Sequence, residues 1–227
     1  MRSLFIDRIK ELNPKTALDI GCGCGEFTAE IAGYCGHIAA IDHFDALITR
    51  SKKEHQKPNI DYIKMDGRKL DFHDNSFDLV YEHASLHHMS GWKKAIDEMV
   101  RVSKKYVFIA ENHDDPRNKE KQNTIYFNKV FLELQHEAGY EHHPHLKPVV
   151  LENFLHMRDI KFESYIARHE ESIPFKEYAD LYTTFVAKTT RKEYWLDKLE
   201  EVRRDINNEN LCEHDMLYLF GEKEVGE

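Results

Sequence analysis

Short apolar runs alternate with amphipathic helical patterns over the first 111 residues of the chain. The runs carry little polar alternation, which is typical of parallel strands that are covered on both faces. Between them, apolar residues recur at helical spacing, as in Phe27, Ile31 and Tyr34. This alternation predicts an open α/β sheet with right-handed crossovers. The predicted strands are 16–21, 37–42, 60–65, 77–82 and 106–111.

Helical patterns predominate in the second half of the chain. Apolar and aromatic stripes at helical spacing are typical of helices that pack one face into a core. We expect the helices between the last two strands to cap an edge of the sheet. The predicted helices cover 125–139, 149–158, 175–186 and 195–206, and the two further strands cover 161–169 and 215–221.

The length fits one domain of ordinary to large size or two very small ones. The chain has 227 residues, of which 41% are hydrophobic, and a formal net charge of −9. One large core fits that length, so we expect a single domain over 1–227 with helical insertions at about 114–160 and 170–212. The acidic excess disfavours nucleic acid and anionic membranes as partners. The longest apolar run, 106–110, is far shorter than the roughly 20 residues that a membrane span needs.

The cysteines favour a reducing location. Four of them, Cys22, Cys24, Cys35 and Cys212, do not form a disulfide framework in a chain of this size. Residues 1–10 lack the apolar core of a signal peptide, so we expect a cytoplasmic protein. Cys22 and Cys24 are interpreted as small residues in a tight turn, because a metal pair usually has wider spacing and a second pair. We predict no metal site.

A glycine-rich loop joins the first predicted strand to the next helix in the segment ALDIGCGCGEFT. Glycines at such a junction let a ligand approach the backbone, at the sheet edge where ligands bind in open α/β folds. The spacing of Gly21, Gly23 and Gly25 is G-x-G-x-G, whereas the dinucleotide fingerprint is G-x-G-x-x-G. Asp19 beside the loop and Glu26 at the helix start favour a ligand with an ammonium group over a pyrophosphate.

Acidic residues end the next two predicted strands. Asp42 ends the second strand, where a carboxylate can accept both ribose hydroxyls of a nucleoside. Asp66 ends the third strand, where a carboxylate can accept from the exocyclic amine of adenine. An ammonium group, a ribose and an adenine together describe S-adenosylmethionine.

These motifs, together with the segment FDLVYEHASLHHM that begins at Phe77, resemble class I S-adenosylmethionine-dependent methyltransferases. The resemblance is to the small-molecule branch that includes enzymes of ubiquinone and menaquinone biosynthesis. It implies a Rossmann-like seven-stranded sheet with the last strand antiparallel, and an enzyme with S-adenosylmethionine as its cofactor. The alternative is a non-catalytic module that binds S-adenosylmethionine or another adenosine ligand. The glycine spacing disfavours a nicotinamide-dependent oxidoreductase.

By the same resemblance, each part of the cofactor has an expected set of contacts. The methionine part would lie against the glycine loop, the nucleoside against the second and third strands, and the sulfonium against the fourth. The implied residues are Asp19, Gly21, Cys22, Gly23 and Gly25 for the methionine part, Asp42 and His43 for ribose and adenine, Asp66, Gly67 and Arg68 for the adenine edge, and Glu82 and His83 beside the sulfonium.

The candidate catalytic residues are His87 and His88. Methyl transfer is an in-line displacement that depends mainly on alignment, and it needs a general base only when the acceptor is protonated. The resemblance places both histidines near the reactive end of the cofactor, as proton acceptors or as residues that shape its site. We expect a small-molecule acceptor and a monomer or homodimer.

Two further polar groups are interpreted with less specific roles. Residues 113–115 follow the fifth strand and either line the acceptor site or form a polar loop. His136, His142, His143 and His145 could bind a metal, but without further ligands at suitable spacing they are interpreted as a solvated loop before Pro148.

Overall fold

The computed structural model describes residues 2–207 and 209–223. Residues 1, 208 and 224–227, which the predicted domain of 1–227 includes, lie outside the described residues. The strands are β1 (Thr16–Ile20), β2 (His37–Asp42), β3 (Ile60–Lys64), β4 (Phe77–His83), β5 (Ser103–His113), β6 (Ile160–Ala167), β7 (Ser172–Ile173), β8 (Leu211–Cys212) and β9 (Asp215–Lys223). The α-helices are α1 (Arg2–Leu12), α2 (Glu26–Ile31), α3 (Asp45–Glu54), α4 (Trp92–Val102), α5 (Gln122–Glu137), α6 (Pro148–His156), α7 (Phe175–Val186) and α8 (Lys192–Asp205).

Seven strands form one sheet in the order β3-β2-β1-β4-β5-β9-β6. The pairs among β1 to β5 are parallel, and β9 lies antiparallel between β5 and β6. The Rossmann-like fold with an antiparallel last strand is therefore confirmed. All seven predicted strands are present in this sheet, although β5 begins at Ser103 rather than at Tyr106.

Helices cover both faces of the sheet. Because side chains alternate along a strand, Tyr81 of β4 belongs to one buried cluster and its neighbour Val80 to the other. Phe5 of α1 packs in the first cluster together with residues of α2 and α3. The second cluster packs α4 and α6 against the opposite face, with Ile96 fully buried. Burial on both faces explains why the strands lack polar alternation.

The remaining helices form a cap with its own core. Phe127 of α5, Tyr182 of α7 and Trp195 of α8 share a third buried cluster, and β7 pairs with β8 beside them. A helical cap is therefore present, and it includes α5, which precedes β6, as well as α7 and α8 between the last two strands of the sheet. Within the described ranges, every helix is too short or too polar to cross a membrane.

Two helices outside the predicted set complete the fold. Helix α1 buries Phe5 and Ile9 completely against the sheet. Half of the residues of helix α3 are charged, and only Ile48 and Ser51 are buried. Helix α3 follows β2, so it leads the chain away from the acidic end of that strand.

Candidate active site

The glycine loop follows β1 at the carboxyl edge of the sheet. Gly21 has φ +75°, and a Cβ atom there would lie 2.4 Å from the Cβ of Ser85. Gly25 has φ +85°, and its Cβ would lie 2.6 Å from the hydroxyl oxygen of Tyr62. Gly23 also has a positive φ, of +57°, but a Cβ there would meet nothing within 4 Å. Packing therefore requires glycine at two positions, whereas the third exposes backbone to open space.

Asp42 fixes this loop to the end of β2. Its Oδ2 atom accepts from the amide of Gly23 at 3.0 Å, and its Oδ1 atom accepts from the amide of Phe44 at 2.8 Å. Burial raises the pKa of Asp42 above its usual range. A carboxylate oxygen accepts more than one hydrogen bond, so each oxygen keeps capacity for a ligand hydroxyl.

Two exposed aromatic side chains follow Asp42. The rings of His43 and Phe44 lie 5.5 Å apart, nearly perpendicular to each other, and Phe44 is 57% exposed. Aromatic faces of this kind stack on nucleobases. Sequence reasoning missed Phe44, although a phenylalanine directly after a strand-end acid lies where no core is expected.

Asp19 lies beneath the loop rather than facing the open space above Gly23. It is 2% exposed, and its Oδ2 atom accepts from the hydroxyl of Thr28 at 2.6 Å. Burial raises the pKa of Asp19 to about 7. Burial likewise raises the pKa of the Cys22 thiol, whose sulfur lies 3.8 Å from the carbonyl oxygen of Gly23. Asp19 thus ties the start of α2 to β1.

Asp66 is paired within its own turn. Its Oδ1 atom accepts from the amide and from Nε of Arg68, each at 2.9 Å, and this pairing lowers the pKa of Asp66. Arg68 also donates to the carbonyl oxygen of Ser90 at 3.0 Å. Gly67 packs tightly, since a Cβ there would lie 2.7 Å from Cγ2 of Ile20.

Glu82 is buried below the glycine loop. Its Oε2 atom accepts from the amide and the hydroxyl of Ser85, at 2.9 and 3.0 Å, and its Oε1 atom accepts from the amide of Ala110 at 3.0 Å. Burial and the adjacent Glu111 carboxylate raise the pKa of Glu82, which favours its neutral form. The next residue, His83, stacks on Phe27 with ring centroids 4.3 Å apart. The structure thus places Glu82 inside the protein and His83 against α2.

Glu111, which sequence reasoning missed, orients His87. Its Oε2 atom lies 2.7 Å from Nδ1 of His87, and its Oε1 atom accepts from the amide of Leu86 at 2.8 Å. Burial opposes the ionisation of Glu111, but the contact with His87 holds its pKa below the usual range. His87 is buried, whereas His88 is exposed, and their rings lie 4.2 Å apart.

The segment 140–147, here called the histidine loop, returns to this site. The interpretation as a loop is correct for His142, His143 and His145, but these are partly buried rather than solvated, and His136 is exposed on helix α5. The amide of His143 donates to the carbonyl oxygen of His87 at 2.7 Å. The ring of His142 lies 4.5 Å from that of His88. Burial and the neighbouring imidazoles lower the pKa of His142 to about 2, so its ring is neutral.

Asp114 ties the histidine loop to the end of the sheet. Its two oxygens contact Nδ1 of His145 at 2.9 Å and Nδ1 of His214 at 2.7 Å. Burial opposes its ionisation, yet these two hydrogen bonds hold the pKa of Asp114 far below its usual range. His113 is partly buried, and Asp115 pairs with Arg117. Asp114 therefore lies beside the histidine loop, whereas His113 is the last residue of β5 rather than part of the segment after it.

Part of the chain is similar to known proteins. Residues 18–109 match the family model described as a methyltransferase domain. A demethylmenaquinone methyltransferase from Renibacterium salmoninarum is 32% identical over 103 residues, which cover 45% of this chain and 43% of that protein. The chain spans less than half the length of the curated relatives it matches.

Solved structures share the fold over nearly the whole chain. The YcgJ protein from Bacillus subtilis has a TM-score of 0.72 at 15% identity, covering 99% of this chain and 98% of that one. The N-methyltransferase NodS from Bradyrhizobium japonicum, in complex with S-adenosyl-L-homocysteine, has a TM-score of 0.59 at 14% identity and covers 99% and 86%. At these identities the likeness is one of fold.

Proposed function

We propose that this chain, whose residues 18–109 match the model of a methyltransferase domain, is a class I S-adenosylmethionine-dependent methyltransferase that transfers a methyl group to a small-molecule acceptor. The observation that carries the proposal is the contact of Asp42 with the backbone of Gly23 and Phe44. Through this contact, a carboxylate that can accept hydrogen bonds from ribose hydroxyls lies beside the open space at Gly23 and the exposed ring of Phe44.

The described residues fit the cofactor part by part. Asp42 would accept from the ribose hydroxyls, and His43 and Phe44 would contact the adenine faces. The open backbone at Gly23 would lie against the methionine part. Asp19 acts from beneath, because its carboxylate is bound to Thr28. Both carboxylate oxygens of Asp66 already accept hydrogen bonds from Arg68. We therefore assign Asp66 a weaker contact with the adenine edge than Asp42 makes with the ribose.

Residues of the chain would align the reactants and accept the proton of the methyl acceptor. When bound, S-adenosylmethionine supplies an electrophilic methyl group. Glu82 and Ser85 hold the turn after β4 in place, and Glu111 holds the ring of His87. A protonated acceptor loses its proton as the new bond forms, and an imidazole of His87 or His88 can take it. The displacement itself depends on alignment.

Other properties of the acceptor and the protein stay predictions. The net charge of −9 and the match to a demethylmenaquinone methyltransferase support a small organic acceptor rather than a nucleic acid. The cysteines of the described residues are all free, which supports a reducing, cytoplasmic location. A monomer or a homodimer, and a single domain with two helical insertions, remain our proposals.

Ligand-dependent melting separates the binding of S-adenosylmethionine from the binding of a nicotinamide cofactor. A ligand that binds only the native state raises the melting temperature, so we expect a rise with S-adenosylmethionine and S-adenosylhomocysteine and none with NAD. Loss of two charge-assisted hydrogen bonds, each worth about 1.5–3 kcal/mol, should weaken cofactor affinity in Asp42→Ala by at least about 100-fold. Asp71→Asn, which changes an exposed acid outside the site, is the matched control. A shift with NAD alone would contradict the proposal.

Transfer of labelled methyl to a panel of small molecules then tests catalysis. A labelled product identifies the acceptor class. Cofactor binding without transfer to any acceptor in the panel would favour the non-catalytic binding module over the enzyme.

A further inference from the structure

Three imidazoles from two distant segments meet beside the ends of β4 and β5. His87 and His88 belong to the turn after β4, and His142 belongs to the histidine loop. One ring nitrogen from each lies within 4.8 Å of the other two. Three nitrogens around a tetrahedral zinc ion are about 3.3 Å apart, given zinc–nitrogen distances of about 2.0–2.1 Å. Side-chain movements of about an ångström would therefore bring the three nitrogens to the distances that a tetrahedral ion requires.

We propose that His87, His88 and His142 bind a divalent transition-metal ion. Nδ1 of each ring already contacts an oxygen, so we assign Nε2 of each ring to the ion. Nδ1 of His87 lies 2.7 Å from Oε2 of Glu111, Nδ1 of His142 lies 2.5 Å from Oε1 of Gln135, and Nδ1 of His88 lies 3.4 Å from the carbonyl oxygen of Glu141.

Each of these partners is an oxygen acceptor, so each Nδ1 carries the proton. Nε2 then keeps its lone pair on all three rings. Histidines that bind metals show this arrangement, in which a carboxylate or carbonyl fixes the tautomer and the orientation of the ring. Three neighbouring histidines with this pattern are arranged as ligands, whereas a solvated polar loop has no need of it.

The protein also holds the two segments together without an ion. The amide of His143 donates to the carbonyl oxygen of His87 at 2.7 Å, and the amide of Ser90 donates to Oε1 of Glu141. Arg68 lies 3.9 Å from Oε2 of Glu141. These contacts place His142 opposite His87 before binding, which reduces the entropic cost of assembling the site.

The donor set indicates the class of ion. Imidazole nitrogens suit Zn²⁺, Cu²⁺, Fe²⁺ and Ni²⁺, whereas Mg²⁺ and Ca²⁺ prefer oxygen. Three protein ligands with an exposed member, His88, leave a position for water or another molecule, as in catalytic zinc sites. We take Zn²⁺ as the representative ion.

A second group of Asp114, His145 and His214 also brings possible ligands together. Here both carboxylate oxygens already contact an imidazole nitrogen of their own group. We therefore assign this group to holding the histidine loop, and the test below includes it.

The consequence for catalysis rests on the proposed function, whereas metal binding does not. A bound ion would lower the pKa of a hydroxyl or thiol placed on its open position and so activate an acceptor beside the cofactor. The proton of that acceptor would pass to water or to a base, and the methyl group would replace it.

Metal titration of the full chain tests the site. After chelator treatment, Zn²⁺ is titrated calorimetrically, and Co²⁺ is titrated as a visible-absorption probe of ligand type and geometry. We expect one ion per chain and the spectrum of a nitrogen-ligated Co²⁺ centre. Glu111→Gln, which alters a residue that orients a ligand, should weaken binding about 10- to 100-fold. His88→Ala and His142→Ala should weaken it at least as much.

Matched variants make each outcome decisive. His73→Ala, which removes an exposed imidazole elsewhere, should leave affinity unchanged. Circular dichroism and the melting temperature show whether each variant folds. If His142→Ala does not fold, His142→Gln takes its place. Absence of binding, or binding lost in His145→Ala but kept in His142→Ala, would overturn the proposal. Melting with S-adenosylhomocysteine, measured in parallel, shows whether the cofactor proposal stands or fails separately.

Discussion

Nδ1 of His87 lies 2.7 Å from Oε2 of Glu111, and both side chains are buried at the ends of neighbouring parallel strands. Glu111 also accepts from the amide of Leu86, so one carboxylate fixes both the backbone and the ring of the turn after β4. Burial and the Glu111 charge favour the neutral form of Glu82 beside it. The buried pair therefore holds a single negative charge that faces His87.

Replacing Glu111 by glutamine should destabilise the protein. Glutamine keeps the shape but loses the charge, and one of its amide hydrogens must face a group that donated to Glu111. We expect the free energy of unfolding to fall by about 1–3 kcal/mol, measured by urea denaturation. Glu222→Gln, which alters an exposed ion pair with Lys105, should change it by less than about 1 kcal/mol. Equal costs in the two variants would contradict the role of Glu111.

Asp19 should make stability depend on pH between about 4 and 7. Burial raises its pKa from 3.8 to about 7, so in this window the folded chain binds a proton that the unfolded chain has lost. The stability contributed by that proton is present below pH 4 and is lost as the pH rises through 7. Asp19→Asn, which can still accept from Thr28, removes this loss.

Urea denaturation from pH 4 to 8 measures the effect. The free energy of unfolding of Asp19→Asn, relative to that of the parent, should increase as the pH rises, by at most about 1.4 kcal/mol for each pH unit. Parallel stability profiles for the two proteins would show that Asp19 is ionised in the fold.

The sheet could be predicted from sequence because burial on both faces leaves a simple signal. Runs such as 37–42 contain consecutive apolar residues that no amphipathic helix would carry. Helix α3 could not be found this way, since only Ile48 and Ser51 are buried and its surface is charged. Helix α1 does carry apolar residues at helical spacing, including Phe5 and Ile9, so this helix is predictable from the sequence pattern.

The site was predicted best where chemistry follows directly from a strand end. Asp42 is such a case, because its position after β2 decides what it can contact. Glu111 ends the predicted strand 106–111, but nothing local shows that its carboxylate contacts His87 rather than solvent. The approach of His142 to His87 depends on a chain return across more than 50 residues, and only the assembled fold shows it.

Two glycines of the loop should fail in different ways when changed to alanine. In Gly21→Ala the new Cβ would lie 2.4 Å from Cβ of Ser85, so backbone must shift in addition to the strain of a positive φ. In Gly23→Ala the Cβ meets nothing within 4 Å, and only conformational strain of about 1–2 kcal/mol applies. We expect Gly21→Ala to destabilise the protein more, and Gly23→Ala to reduce cofactor affinity at a smaller cost in stability.

Thermal melting with and without S-adenosylhomocysteine separates these two effects. Gly33→Ala is the matched control, because that glycine has neither a positive φ nor a close neighbour, and its substitution should be neutral or slightly stabilising. The opposite order, with Gly23→Ala the less stable variant, would argue against the packing of Gly21 on Ser85.

Phe44 should contribute to cofactor binding and little to stability. It is 57% exposed, so its removal leaves no cavity in the core, and Phe44→Ala should change the free energy of unfolding by less than about 0.5 kcal/mol. Stacking of a base on an aromatic ring is worth about 1–3 kcal/mol, which corresponds to roughly a 5- to 150-fold loss of affinity. Calorimetric titration with S-adenosylhomocysteine measures that loss. Met157→Ala, which removes a side chain that is 70% exposed in another part of the surface, should leave the affinity unchanged. If Phe44→Ala binds as tightly as the parent, the adenine does not lie on this ring, and the contact must be assigned to His43 or to the turn at Asp66 instead.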